Sequence, residues 1–208
     1  MRSGTLSGRD PATGDGVCVT WRNGLLTASA PDPEAPDLWL AAGLVDLQIN
    51  GFAGHDLNAE VLAPETVSAM ARAVIATGTT RFLPTLITAP PARIAASLAV
   101  IAAARDADPL VARMIPGVHL EGPWISPEDG PRGAHPKAFV TAPDLELFDQ
   151  WQAGCGGLVR IVTLSPHWPG SVAAIRGLVE RGVQVSIGHT GADPAEIAGA
   201  AAAGATLC

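Results

Sequence analysis

The 208-residue sequence contains no stretch of about 20 uncharged apolar residues, the length that a membrane-spanning helix needs. Its first residues, Met1–Gly8, lack the basic start and apolar core of a secretory signal. Charged residues are also few, at 16% against 48% hydrophobic, and this excludes a disordered chain because such chains are polar and highly charged. We therefore expect a folded cytoplasmic protein that does not enter a membrane.

Lysine and cysteine are scarce. Lys137 is the only lysine, and the arginines are scattered along a chain whose net charge is −7. Nucleic-acid binding needs a concentrated basic surface, so nucleic acid is not an expected partner. The three cysteines, Cys18, Cys155 and Cys208, are far apart and lack the spacing of a zinc site or a disulfide framework. The sequence therefore predicts free thiols in a reducing compartment.

Glycine-rich phosphate-binding motifs are absent, since neither G-x-G-x-x-G after the first strand nor G-x-x-x-x-G-K-[ST] occurs, and this argues against the nucleotide-binding α/β folds. From Gly43 onward, apolar strands alternate with helices of 3.6-residue period, which is typical of βαβ units and a parallel sheet. A complete (β/α)8 barrel takes about 250 residues. The sequence therefore predicts the α/β class and an incomplete (β/α)8 barrel with about five of the eight strands. The predicted strands are 44–49, 79–86, 111–120, 158–164 and 183–187, and a sixth begins at 205.

The first 42 residues show no helical period, unlike the rest of the chain. Val17–Trp21 predicts a strand, Arg22-Asn23-Gly24 predicts a turn, and the segment 31–36 is a loop of proline and acidic residues. Their apolar content is too small for an independent core. We expect residues 1–42 to form part of a small β-sandwich domain that needs other strands, and residues 43–208 to form the barrel part.

Ionisable side chains stand at the ends of the predicted barrel strands, where (β/α)8 barrels carry their active sites. Glu121 ends the third strand and His189 follows the fifth. A carboxylate and an imidazole at the same end of the barrel suit a divalent metal such as zinc. The pattern alone leaves open a structural salt bridge or capped loop at Glu121 and a satisfied core histidine at His189.

Several short motifs in this chain resemble those of the N-acetylglucosamine-6-phosphate deacetylases, a family of the amidohydrolase superfamily. They occur in the family's order from about residue 40 to the last residue, and together they are far more specific than any one of them. The matching segments are Ala42–Gly51, Leu83–Thr88, His119–Trp124, Gly133–Pro136 and Val185–Thr190.

The resemblance implies metal-dependent hydrolysis of the N-acetyl amide of N-acetylglucosamine 6-phosphate, giving glucosamine 6-phosphate and acetate. It implies Glu121 and His189 as metal ligands, and Ala134 and His135 as substrate-binding residues. A third ligand, a histidine on strand six, and the general-base aspartate on strand eight are expected beyond residue 208, so no catalytic acid–base residue is assigned within the chain. The implied cofactor is one zinc ion, with iron, manganese or cobalt as alternatives. The implied partner is a small acetamido sugar phosphate, and the complete protein is expected to be a homodimer.

One departure concerns the end of the first barrel strand, where many amidohydrolases carry His-x-His. Gln48 and Asn50 stand there instead, and neutral amides are poor zinc ligands beside imidazole. We expect a single metal, with Gln48 and Asn50 next to its water or the substrate. His119 is either support for the metal site or a core histidine, and we interpret His55 and His167 as rim histidines rather than ligands.

The sequence leaves two alternatives open, one for the activity of the chain and one for its substrate. The chain could be an inactive half of a barrel, with an open sheet edge and weak metal binding because only two of three ligands are present. The substrate could also be a different acetamido sugar phosphate, such as N-acetylgalactosamine 6-phosphate.

Overall fold

The computed structural model describes residues 3–208, so the first two residues of the predicted segments Met1–Gly8 and 1–42 lie outside the described residues. The chain divides into two compact units, one up to Gly43 and one from Leu44 to Cys208. Within residues 3–208, no helix has both the length and the apolar character to cross a membrane.

The first unit is a three-stranded antiparallel sheet in the order β1-β2-β3. Its strands are β1 (Ser3–Arg9), β2 (Gly16–Arg22) and β3 (Leu25–Pro31). The predicted turn is confirmed, because Asn23 and Gly24 join β2 to β3 with φ angles of 55° and 80°, as a tight hairpin turn requires. Strands β1 and β3 were not identified individually from the sequence.

The second unit is built on a parallel five-stranded sheet in the order β10-β9-β8-β7-β4, and a short two-stranded hairpin, β5-β6, follows β4. This arrangement agrees with the predicted α/β class and the five predicted barrel strands. The strands are β4 (Leu44–Ile49), β5 (Gly51–Phe52), β6 (His55–Asp56), β7 (Thr79–Ile87), β8 (Val118–Glu121), β9 (Val159–Leu164) and β10 (Gln184–Ile187).

Helices connect these strands and bury their apolar faces in one core. In the first of them the predicted 3.6-residue period is confirmed at Val67, Met70, Ala71 and Val74, which are all buried, whereas Ile75, at the helix end, is 39% exposed. The core also takes Phe82 and Leu120 from the sheet. The helices are α1 (Pro64–Ile75), α2 (Pro91–Ala107), α3 (Pro109–Met114), α4 (Leu145–Gly154), α5 (Ser171–Glu180) and α6 (Pro194–Ala202).

The prediction of a strand over residues 111–120 is wrong in its first half. Residues Pro109–Met114 form α3, and β8 begins only at Val118. The Asp108 side chain accepts a hydrogen bond from the Leu110 amide, and Pro109 occupies the first helical position. These are helix-start signals, and they outweigh the apolar run that suggested a strand.

Candidate metal centre

Glu121 is the last residue of β8, and its carboxylate lies at the carboxyl edge of the sheet with the side chain only 10% exposed. Gln48, on β4, donates from Nε2 to Glu121 Oε1 at 2.9 Å, and Asn50 Nδ2 lies 3.5 Å from Oε2. Burial opposes ionisation of this carboxyl group, but the hydrogen bond from His189 and the charges of His135 and His189 outweigh it, so the pKa of Glu121 is lowered. The structure therefore holds a charged carboxylate at this position.

His189 lies just after β10, and both of its ring nitrogens face acceptors. Nδ1 is 3.2 Å from the Pro131 carbonyl oxygen, and Nε2 is 3.0 Å from Glu121 Oε1. A carbonyl oxygen only accepts, so Nδ1 carries the proton that it donates to Pro131. The Nε2 lone pair of a neutral ring then points at a carboxylate, an arrangement that requires either a second proton or a cation between the two atoms.

His135 completes the cluster from the loop after β8. Its ring is buried, lies edge-on to that of His189 with ring centroids 4.3 Å apart, and places Nδ1 2.9 Å from Thr88 Oγ1. Burial, with the nearby charge of His189, lowers the pKa of His135 and so favours a neutral ring, and the Thr88 amide donates to its Nδ1 at 3.4 Å. One potential ligand atom from each of Glu121, His135 and His189 lies within 4.8 Å of the other two.

These side chains suit a divalent metal. One carboxylate oxygen and two imidazole nitrogens are the ligand types of zinc and of several first-row transition metals. With a cation in place of the second proton, His189 Nε2 and Glu121 Oε1 would both face it, and the hydrogen bonds of Gln48 and Pro131 fix both side chains as outer partners of a metal site do. The residues present therefore fit a bound metal ion.

Backbone hydrogen bonds join the loops that carry the cluster. The Ser126 amide donates to the His189 carbonyl oxygen, and the Ser165 amide donates to the Trp124 carbonyl oxygen, each at 2.9 Å. The fully buried Ser165 hydroxyl lies 2.6 Å from Thr190 Oγ1. Sequence reasoning missed the contribution of Ser165 and Thr190, because nothing in their spacing indicates that the two loops meet.

The structure brings together four of the predicted site residues, namely Gln48, Asn50, Glu121 and His189, and adds His135 to the potential metal ligands. His135 was predicted only as a substrate residue, because the spacing of residues 121–135 says nothing about how the loop folds back. Ala134 is exposed beside it and contributes no side-chain ligand.

The other histidines lie outside the three-residue cluster. His55 lies in the β5-β6 hairpin. His167 contacts Ser165 Oγ through Nδ1 at 2.5 Å and packs against Trp168. His119 is buried and bonds to Leu47 and Thr163. None of the three takes a place among the potential ligands.

Comparison with known proteins places this geometry in a family. The model of the amidohydrolase family matches residues 39–207. The N-acetylglucosamine-6-phosphate deacetylase of Bacillus subtilis (strain 168) is 38% identical over 177 residues, which cover 83% of this chain and 43% of that protein. The human N-acetylglucosamine-6-phosphate deacetylase is 39% identical over 174 residues, which cover 81% and 41%. The chain thus spans less than half the length of these curated relatives.

A solved structure shows the same fold. A mutant N-acetyl-D-glucosamine-6-phosphate deacetylase from Mycobacterium smegmatis, in complex with N-acetyl-D-glucosamine-6-phosphate, superposes with a TM-score of 0.83 at 27% identity. The alignment covers 99% of this chain and 55% of the other. With a family model over most of its length, the chain belongs to the amidohydrolase family, and the relatives and the solved neighbour described here are named as N-acetylglucosamine-6-phosphate deacetylases.

Proposed function

We propose that the whole protein hydrolyses the N-acetyl amide of N-acetylglucosamine 6-phosphate to glucosamine 6-phosphate and acetate, and that this chain supplies its metal-binding half-barrel. The observation that carries the proposal is the cluster of Glu121, His135 and His189, whose potential ligand atoms lie within 4.8 Å of one another, with His189 Nε2 3.0 Å from Glu121 Oε1. The relatives named as deacetylases, and the solved neighbour in complex with the sugar phosphate, support the reaction and the substrate.

We assign the binding of one zinc ion to Glu121 and His189. When bound, such an ion polarises an amide carbonyl and acidifies a water molecule. Gln48 keeps the Glu121 carboxylate in place through its 2.9 Å hydrogen bond, and Asn50 lies next to the same carboxylate. The Pro131 carbonyl keeps the His189 ring in the orientation that leaves Nε2 free.

His135 contacts the substrate in this proposal, and Ala134 lies beside it. Thr88 holds Nδ1 of His135, so the Nε2 edge of the ring remains available to the sugar. The same edge could also serve a metal, and metal affinity separates the two roles. We expect His135→Ala to change zinc affinity less than about threefold if it contacts the substrate, whereas a ligand role costs at least the 10- to 100-fold typical of outer partners.

Further properties of the whole protein belong to the same proposal. Residues 1–42 would form part of a small β-domain and residues 43–208 the barrel part. We propose a homodimer in the cytoplasm, and the free state of Cys18, Cys155 and Cys208 supports a reducing compartment. The chain contributes no acid–base residue to the reaction; that role falls to an aspartate elsewhere in the whole protein.

Zinc titration of the 208-residue chain and of the whole protein, with a chromophoric chelator as competitor, tests the metal site. We expect the 208-residue chain, which holds two of the three proposed ligands, to retain far less than one tight zinc per chain. In the whole protein, we expect a loss of affinity of at least about 100-fold in Glu121→Gln and in His189→Ala, since even outer partners cost 10- to 100-fold. His55→Ala is the matched control, because that ring lies outside the cluster and should leave the affinity unchanged. Wild-type zinc content in either ligand variant would refute the assignment.

Acetate release by the whole protein tests the proposed reaction and its substrate. A panel of N-acetylglucosamine 6-phosphate, N-acetylgalactosamine 6-phosphate and unphosphorylated N-acetylglucosamine distinguishes the proposed substrate from other acetamido sugars. Zinc binding by the whole protein without acetate release from any of them would refute the proposed reaction.

A further inference from the structure

We infer that His119 is a positioning residue for the metal centre: it holds the backbone of Leu47 so that Gln48 can orient the Glu121 carboxylate. The inference rests on the proposed metal site. It assigns a role to a buried histidine that contacts none of the potential ligands through a hydrogen bond.

The hydrogen bonds of His119 determine where its ring proton lies. The residue is 4% exposed, its Nδ1 lies 3.0 Å from the Leu47 carbonyl oxygen, and its Nε2 lies 2.7 Å from Thr163 Oγ1. The Leu47 carbonyl can only accept, so Nδ1 carries a proton and donates to it, while Nε2 pairs with the Thr163 hydroxyl. Both ring nitrogens are therefore paired, and Nδ1 is the donor to Leu47.

This hydrogen bond lies where the ladder of strand β4 is interrupted. Residues Leu44, Val45, Asp46 and Ile49 have register partners in β7, but the register shifts between Asp46 and Ile49. Leu47 and Gln48 therefore stand outside the pairing. An interrupted ladder leaves backbone groups that need other partners, and His119 supplies the donor for Leu47.

The donor comes from a strand that does not neighbour β4. In the sheet order β7 lies between β4 and β8, so the His119 ring reaches across one strand to contact Leu47. If His119 only joined neighbouring strands, its bond to Thr163 on β9 would be sufficient. The bond to Leu47 fixes the residue immediately before Gln48.

Gln48 carries the effect to the metal centre. Its Nε2 donates to Glu121 Oε1, the same oxygen that lies 3.0 Å from His189 Nε2. If the Leu47–Gln48 segment moved, this donor would move with it and the carboxylate would lose the partner that sets its orientation. Loss of such outer partners typically lowers metal affinity 10- to 100-fold.

Two substitutions of nearly equal shape separate hydrogen bonding from packing. His119→Asn retains an N–H donor near the position of Nδ1, whereas His119→Leu fills similar space without one. We expect the Gln48 side-chain amide signals of the metal-free protein, observed by 15N NMR, to shift in His119→Leu and to stay close to wild type in His119→Asn. The zinc affinity of the whole protein should fall about 10-fold in His119→Leu and less than about threefold in His119→Asn.

A double-substitution cycle shows whether His119 acts through Gln48. Gln48→Ala should weaken zinc binding about 10-fold, and the combination of Gln48→Ala with His119→Leu should be no weaker than Gln48→Ala alone by more than about twofold. Losses that multiply would overturn the inference, and so would a His119→Leu protein with wild-type Gln48 signals and zinc affinity. A general loss of stability, read from the thermal midpoint, would not produce this non-additivity.

Two further measurements decide the cases in which His119→Leu does not fold or the wild type binds no zinc. If His119→Leu does not fold, the wild-type 15N spectrum of the His119 ring decides, because a proton on Nε2 instead of Nδ1 would contradict the inference. If the wild-type whole protein binds no zinc, the proposed function fails, whereas the response of the Gln48 amide to the His119 substitutions still supports or refutes the positioning role.

Discussion

Gly122, directly after Glu121, leaves no room for a side chain. Its φ is +86°, and a Cβ added there would overlap Thr88 Oγ1, the atom that holds His135. Gly130 has a similar φ of +95° but open space around it. The two glycines therefore differ in packing rather than in backbone conformation.

We expect Gly122→Ala to lower the free energy of unfolding by about 2–4 kcal/mol, the sum of a left-handed alanine and an overpacked contact. Gly130→Ala should cost about 1 kcal/mol because it incurs the conformational term alone. Urea denaturation of both variants measures the difference. Equal losses would show that Thr88 yields to the added methyl group.

Two buried histidines make the stability of the metal-free protein depend on pH. Burial lowers the pKa of His119 and of His135 below the ordinary value of 6.5. Below pH 6.5 the unfolded chain therefore binds more protons at these groups than the folded chain does, and the free energy of unfolding decreases as the pH falls. Above pH 6.5 these rings are neutral in both the folded and the unfolded chain, so the free energy of unfolding no longer changes with pH through them.

Urea denaturation at pH 7.5, 6.5 and 5.5 measures this dependence, in a range above the ordinary pKa values of carboxyl groups. We expect stability to decline from pH 6.5 to 5.5, with a smaller decline in His119→Asn, which removes one of the two groups. Constant stability over the whole range would contradict the assignment of neutral buried rings.

Helix α6 begins with a complete capping box. Asp193 Oδ1 accepts from the Glu196 amide, and Glu196 Oε2 accepts from the Asp193 amide, both at 2.8 Å. We expect Asp193→Ala to lower the free energy of unfolding by about 1 kcal/mol and Asp193→Ser by less, since serine is also a good N-cap. Thermal unfolding of the two variants provides the test, and identical midpoints would show that the cap contributes nothing.

The sequence predicted those elements whose signals are local. Helices of 3.6-residue period were predicted after Gly43, and α1 buries the apolar face that such a period produces. Asn23-Gly24 marks the turn between β2 and β3, which was identified correctly. The apolar run from Val111 could belong to a strand or a buried helix, and only its start at Asp108 decides for the helix. The strand-end rule likewise singled out Glu121 and His189, but no local signal places His135 beside them.

The five-stranded sheet has two edges in the part of the chain that the structure describes, β4 and β10. Edge β10 is partly covered by Leu207, which accepts from the Ile187 amide. Edge β4 exposes large apolar side chains: Leu44 and Val45 are each 62% exposed and Leu47 is 48% exposed. An exposed apolar edge strand is a template for pairing with another chain.

We therefore expect the 208-residue chain to associate with itself as its concentration rises, and Val45→Lys to suppress this because a charge on an edge strand opposes pairing. Val179→Lys, at a position 40% exposed on helix α5, is the matched control and should leave the association unchanged. Sedimentation velocity over a concentration series measures both. A monomer at all concentrations would show that edge β4 is not a pairing surface.

Hydrogen bonds join the loops after β8, β9 and β10, so these loops should open to solvent together. The Ser126 and Ser165 amides donate to residues of neighbouring loops, and the Gly188 amide donates to Leu164 at the end of β9. None of these amides can be freed without separating two loops. They should exchange their hydrogens with deuterium as one group, at a common rate and in a single cooperative opening event.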